Sequence, residues 1–178
     1  MGPGGGGTDG VGLRVGAGRP VAGSTSLSAF WGDTTGLFAV VFLIYSLGAA
    51  LSWASFGSSI GPSFFYPSAG VSMAAMLLAR RALWPAVVVA VLVGEVLVDT
   101  YYGNDTWQAI GFGVADVVEP LIGASVVLAW CGGRPDLRTR RHLTVFIAGA
   151  CLIGPFFGAL IGGSVSAHHD QKPWLTTV

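Results

Sequence analysis

Charge is what this chain has least of. Asp, Glu, Lys and Arg make up only 10% of its 178 residues, against 52% hydrophobic ones. A soluble domain of ordinary composition carries roughly 25% charged residues. A water-facing coat around this much apolar material is therefore excluded, and an integral membrane protein is the class that remains. Nine basic and nine acidic residues cancel, so there is no overall basic field to attract nucleic acid. Cysteine is nearly missing as well. Cys131 and Cys151 fall in or beside apolar segments at no metal-type or disulfide-type spacing, and read as free, buried thiols. No nucleophile–base pair, oxyanion motif or phosphate loop is present. The chain is accordingly expected to be no enzyme and to need no cofactor. His168 and His169 without further ligands make no metal site.

Residues 1–30 lack something else: large apolar side chains. This glycine-rich stretch cannot bury enough surface to fold and is expected to be a disordered tail. Its glycines have no preceding strand and no following lysine, which rules out a phosphate loop. It also lacks the charged start and short apolar core of a signal peptide. Residues 31–178 form the membrane domain.

What is there is apolar sequence in five blocks: about 34–56, 67–79, 84–102, 107–130 and 143–166. Four of them meet the roughly 20-residue length that crosses a hydrocarbon core about 30 Å thick. The second, 67–79, is short and fits a shallow or tilted span. The expected fold is all-α, a polytopic transmembrane helix bundle of about five membrane helices. Trp31, Trp53, Trp84, Trp107 and Trp130 fall near block ends, where interfacial aromatic belts lie. If all five blocks cross, Arg14, Arg19, Arg80, Arg81, Arg134, Arg138, Arg140 and Arg141 share one side and only Lys172 falls on the other. The positive-inside rule makes the arginine side, and the N-terminus with it, cytoplasmic. An odd number of crossings leaves residues 167–178 outside, so a cytoplasmic output domain would require at least one further crossing.

The acids are the anomaly. Glu95 lies ~16 Å of helix rise past Trp84, and Asp116 and Glu119 lie ~14 and ~18 Å past Trp107, so in antiparallel helices all three reach mid-membrane. Asp99 lies one turn beyond Glu95. An ionised acid at that depth costs roughly 2.5–3.5 kcal/mol, against a return of about 0.3–0.6 from a leucine or valine. No cation in the sequence matches their depth. The acids must therefore be protonated, hydrogen-bonded within the bundle, wetted, or paired with a base from another chain segment. At least one of Glu95, Asp116 and Glu119 is expected to be neutral near pH 7.

Gly113, Asp116, Pro120 and Gly123 step by three and four along one face, with Glu119 beside them, while Val114, Val117, Val118, Leu121 and Ile122 suit lipid. Pro120 predicts a bend and a free carbonyl at Asp116. These acids and Pro120 form the expected signal-responsive polar centre. In the last block Gly154, Gly158 and Gly162 recur every four residues, a small-residue face for helix packing, with intramolecular contact favoured over a homodimer. Pro155 marks a second point of bending. Polar adhesion between helices, with no signal or ion involved, is the plainer role for the same acids.

One stretch carries a resemblance. FFYPSAGVSMAAMLLARRALWPAVVVAVLVGEVL, residues 64–97, resembles the first class of bacterial membrane-associated sensor (MASE) domains. The matching positions are Tyr66, Pro67, Ser68, Ala69 and Gly70, then Arg80, Arg81, Trp84 and Pro85. VVEPLIGASVVLAW resembles the acid-containing helix of that family, with Glu119 on its glutamate, and GRPDLRTRRHLTVF its basic loop. The family more often has tryptophan where this chain has Tyr66, and continues past QKPWLTTV into further membrane helices. The resemblance implies a sensory input domain of the bacterial inner membrane. Its expected partners are the lipid bilayer, a histidine kinase, cyclic-di-GMP enzyme or phosphatase output domain, and a second copy or membrane partner protein. The rival reading from the residues is a fragment of a proton- or cation-coupled transporter or channel.

Overall fold

The computed structural model describes residues 33–60 and 66–170, of which side chains are described for 33–55 and 66–168. The glycine-rich tail, Trp31 and Lys172 lie outside the described residues. No strand occurs among them. The helices are α1 (Thr34–Ile60), α2 (Pro67–Leu78), α3 (Trp84–Tyr101), α4 (Thr106–Cys131), α5 (Arg140–Phe146) and α6 (Gly154–Asp170). A turn of 3₁₀-helix, Arg81–Leu83, leads into α3, and a π-helical segment, Ile147–Ile153, joins α5 to α6. Four rods are long and apolar enough to cross a membrane: 34–55, 81–101, 106–131 and 140–168. The expected polytopic bundle is present, with α2 as its short fifth member.

Local chemistry sets the helix ends. The Asp33 carboxylate accepts from the Gly36 N–H at 2.9 Å at the start of α1. Asp105 does the same for Trp107 N at 3.3 Å and opens α4. These side chains satisfy amides that have no partner within the helix. Pro67 and Pro85 occupy first-turn positions of α2 and α3, where a missing N–H costs nothing. Gly132, at φ +70°, ends α4 in the left-handed conformation that suits glycine.

Contacts fix the topology. Residues 45 and 53 of α1 meet residues 95 and 99 of α3 in the same order, so these two rods run parallel. Gly113 of α4 packs on Leu92 and Glu95. Gly111, Gly123 and Val127 meet Val165, Ala150 and Gly149 in reverse order, so α4 runs antiparallel to the last rod. The start of α1, the Ala79–Leu83 turn and the Gly132–Thr139 loop therefore share one end. Arg134 joins two of these, its guanidinium donating to the Leu78 carbonyl at the foot of α2. Six arginines, from Arg80 to Arg141, are exposed there.

The short helix does not start at the opposite end. Ser68 Oγ donates to the Tyr45 carbonyl at 2.9 Å, and a Cβ on Gly48 would come within 3.6 Å of Pro67. Tyr45 is ~16 Å of rise into α1, so α2 begins at mid-depth and runs from there to the arginine end. Its 12 residues cover about 18 Å. On a background lacking Cys131 and Cys151, cysteines at Arg81 and Arg138 are expected to take a membrane-impermeant label from the same side. Labelling from opposite sides would break this topology.

The sequence reading needs correcting at the cysteines and at Val117: Cys151 is exposed and Cys131 only half-buried, where buried thiols are expected. Val117, assigned to lipid, is buried at 8% exposure. The cause is the central position of α4, which packs against α2, α3, α6 and the π segment and so buries more than one stripe. Pro120, where a bend is expected, lies within α4, which continues from Thr106 to Cys131 through it, and it is fully buried. The irregular geometry sits near the other proline. In an α-helix the Pro155 ring would meet the carbonyl four residues back, at Cys151. The wider π turn contains that residue, and the Gly154 N–H reaches back five residues to Gly149 O.

Candidate functional site

Four helices bring one polar side chain each to the middle of the bundle. Tyr45 comes from α1, Tyr66 from the residue before α2, Glu95 from α3 and Asp116 from α4. The Tyr45 hydroxyl donates to Asp116 Oδ2 at 2.6 Å and lies 3.1 Å from Glu95 Oε2. The Tyr66 hydroxyl donates to the same Glu95 oxygen. The two phenol oxygens are 3.1 Å apart, with their rings edge to face. Tyr45 is 0% exposed and Glu95 5%. No Arg, Lys or His of the described residues lies at this depth.

The helices approach closely because small residues allow it. A Cβ on Gly94 would sit 2.8 Å from Ser46 Oγ and 3.1 Å from the Tyr45 ring. One on Gly113 would sit 2.8 Å from Leu92 and 3.7 Å from Glu95 Cβ. These two glycines set α1 and α4 against α3 at the level where the four polar groups meet.

The other expected site residues divide. Asp99, 2% exposed, takes the Trp53 indole N–H at 3.0 Å, one turn from Glu95. Trp53 also stacks on Tyr102, with ring centroids 5.5 Å apart. It is thus turned inward, unlike Trp107 and Trp130, which are 73% and 54% exposed. Glu119 faces away from the four-residue centre. Its Oε2 lies 3.0 Å from where a Cβ on Gly158 would sit, in the seam between α4 and α6. Gly154 and Gly158 line that seam, with Glu119 O only 2.7 Å from a Cβ on Gly154. Gly162 packs more loosely, 3.9 Å from Ala115 and Phe112.

The resemblance positions have distinct tasks. Tyr66 binds Glu95, Pro67 opens α2 and Ser68 ties it to α1. Trp84 donates its indole N–H to Met76 O at 3.0 Å, and the Arg81 guanidinium lies 5.6 Å above the same ring. Arg80 is exposed, and Pro85 stands in the first turn of α3. Gly70 is exposed with nothing within 4 Å of an added Cβ, and the structure gives no packing reason for it. Tyr45 escaped the sequence reading, and Trp53, read there as an interfacial aromatic, was missed as the partner of Asp99. The available signal for Tyr45 was depth, since it lies as far into its rod as Glu95 lies into α3.

No group of three or more metal-ligating residues occurs among the described residues. No curated protein and no solved structure matches the chain. A family does: the MASE1 model matches residues 37–170. The chain belongs to the MASE1 family, a membrane-associated sensory domain of signalling proteins.

Proposed function

We propose that this MASE1 chain is the sensory input domain of a bacterial inner-membrane signalling protein, with its arginine end and N-terminus in the cytoplasm. Its output partner is a histidine kinase, a cyclic-di-GMP enzyme or a phosphatase. The stimulus acts on a two-state helix bundle by changing packing or protonation around Glu95, Asp116 and Glu119. A stimulus can shift such an equilibrium only by its differential free energy for the two states. The observation that carries this reading is the meeting of four helices on one cation-free polar centre at mid-depth. A change at that point alters the contacts of α1, α2, α3 and α4 together. Beside it, Glu119 in the α4–α6 seam and the π segment give the last rod a second place to shift.

In the protein that carries the output domain, Glu119→Gln is expected to change output while leaving membrane insertion intact. Unchanged output would count against the reading.

The same acids could serve a proton or cation path, and such a path needs water-accessible space beside them. The cleft of about 770 Å³ between α4 and α6 lies elsewhere, toward the end opposite the arginines. Trp107, Ile110, Gly111, Leu160 and Val165 line it, and none of Glu95, Asp116 and Glu119 does. Cation or proton flux through the chain in liposomes would favour the path.

A further inference from the structure

We propose that Glu95 and Asp116 hold one carboxyl proton between them, exchanged through the Tyr45 hydroxyl, and that this proton locks α1, α3 and α4 in one of the two signalling states. The inference rests on the sensory reading above and names the stimulus class for its polar centre: protons.

The argument is a count of hydrogens. Four oxygens make four close contacts: Tyr45 to Asp116, Tyr45 to Glu95, Tyr66 to Glu95 and Tyr45 to Tyr66. Each hydrogen bond needs one proton between its oxygens, and two phenols supply only two. With both acids ionised, two of the four contacts would set lone pairs against each other inside the bundle. Two negative charges would also share one phenol, with no cation beside them. One added proton resolves this. Placed on Glu95, it yields a directed chain in which Tyr66 donates to Glu95, Glu95 to Tyr45, and Tyr45 to Asp116. Placed on Asp116, it reverses the last two links, so that Asp116 donates to Tyr45 and Tyr45 to Glu95. Passage from the first form to the second breaks the Glu95 O–H and the Tyr45 O–H. It forms a new O–H on Tyr45 and one on Asp116, while the single negative charge moves from Asp116 to Glu95. Three of the four contacts carry a proton in either form. Only the contact between the two phenols goes without.

The surroundings leave this proton without competition. From α1 the centre is faced by Tyr45, and from the start of α2 by Tyr66, while Ser68 spends its hydroxyl on the Tyr45 carbonyl. On α3, Asp99 lies one turn away and is engaged by Trp53. On α4, Glu119 is three residues on and turned to the Gly158 seam. The last rod carries its histidines and arginines only toward its ends, and its Cys151 is exposed. Removal of the shared proton takes away the middle link between α3, α1 and α4, and places two like charges across Tyr45. The bundle must then open or rearrange there.

Infrared spectroscopy of the chain in lipid nanodiscs, as a function of pH, tests the count. At pH 7 the wild type is expected to show, over the Glu95→Gln/Asp116→Asn double variant, an additional carbonyl band of a protonated carboxyl equivalent to one group per chain. Glu95→Gln and Asp116→Asn are each expected to lose it, because either acid alone is satisfied by phenol donors. Tyr45→Phe keeps both acids and removes the bridge, so the band should shift. Absence of the band in the wild type overturns the proposal whatever the variants do. So does a wild-type carboxyl band no larger than that of the Glu95→Gln/Asp116→Asn double variant, in which Asp99 and Glu119 remain, or one that Tyr45→Phe leaves unmoved. The sensory reading fails separately, by unchanged output of the Glu119→Gln protein while the infrared result stands.

Discussion

Gly154→Val is expected to lower the stability of the folded chain in detergent or nanodiscs by about 1–3 kcal/mol, the usual cost of forcing extra methyl groups into a packed interior. The first carbon of the new side chain would already lie 2.7 Å from the Glu119 carbonyl oxygen and 3.4 Å from Gly123 Cα. Both obstacles are backbone, so no rotamer change relieves them, and α4 and α6 must separate. Gly70→Val is the control. It introduces the same side chain into another helix at an exposed position with nothing within 4 Å. Its effect should stay within about 0.5 kcal/mol, as for surface substitutions generally. Unfolding midpoints of the two variants decide the matter, and equal losses would remove the α4–α6 seam as a determinant of stability.

The second large effect is expected at Asp99. Trp53→Phe removes the indole N–H that reaches this buried carboxyl and keeps an aromatic ring against Tyr102. The Asn104 side chain remains a partner of this carboxyl, but a buried acceptor deprived of one donor still costs about 1–3 kcal/mol, and more if charged. Removing both polar partners together is much cheaper. The Trp53→Phe/Asp99→Leu protein is therefore expected to recover most of what Trp53→Phe loses. A double variant as unstable as the sum of its singles would show that the hydrogen bond carries little of the energy.

Much of this architecture could be read from residue order, and the residues show why the remainder could not. The five blocks became helices because their runs are continuously apolar, four of them at bilayer length, and because their ends carry Asp105, Pro67, Pro85 and Gly132. Glu95 and Asp116 meet where depth arithmetic put them. Tyr45 was counted among the apolar residues of α1, as a tyrosine in such a run usually is, and so the bridge between the acids stayed hidden. Glu119 illustrates a different limit. Three residues beyond Asp116, it is only about 60° around the helix from it. Yet α4 has neighbours on several sides, and that angle suffices to point it at α6 instead. Likewise the starting depth of α2 could not be inferred from its 12 residues, since length says nothing about which half of a bilayer a short helix occupies.

The π segment answers a problem of spacing in the last rod. Gly158 and Gly162 follow Gly154 at intervals of four, but Gly149 precedes it by five. At 3.6 residues per turn, five steps overshoot a full rotation by about 140°, which would swing Gly149 off the seam. A ring closed over five residues absorbs the surplus one, and Gly149 instead lies against Val127 and Gly123 O of α4. The helix behaves as two regular screws whose threads are offset by a single residue. A chain one residue shorter between Gly149 and Gly154 could mesh with α4 on an unbroken α-helical thread.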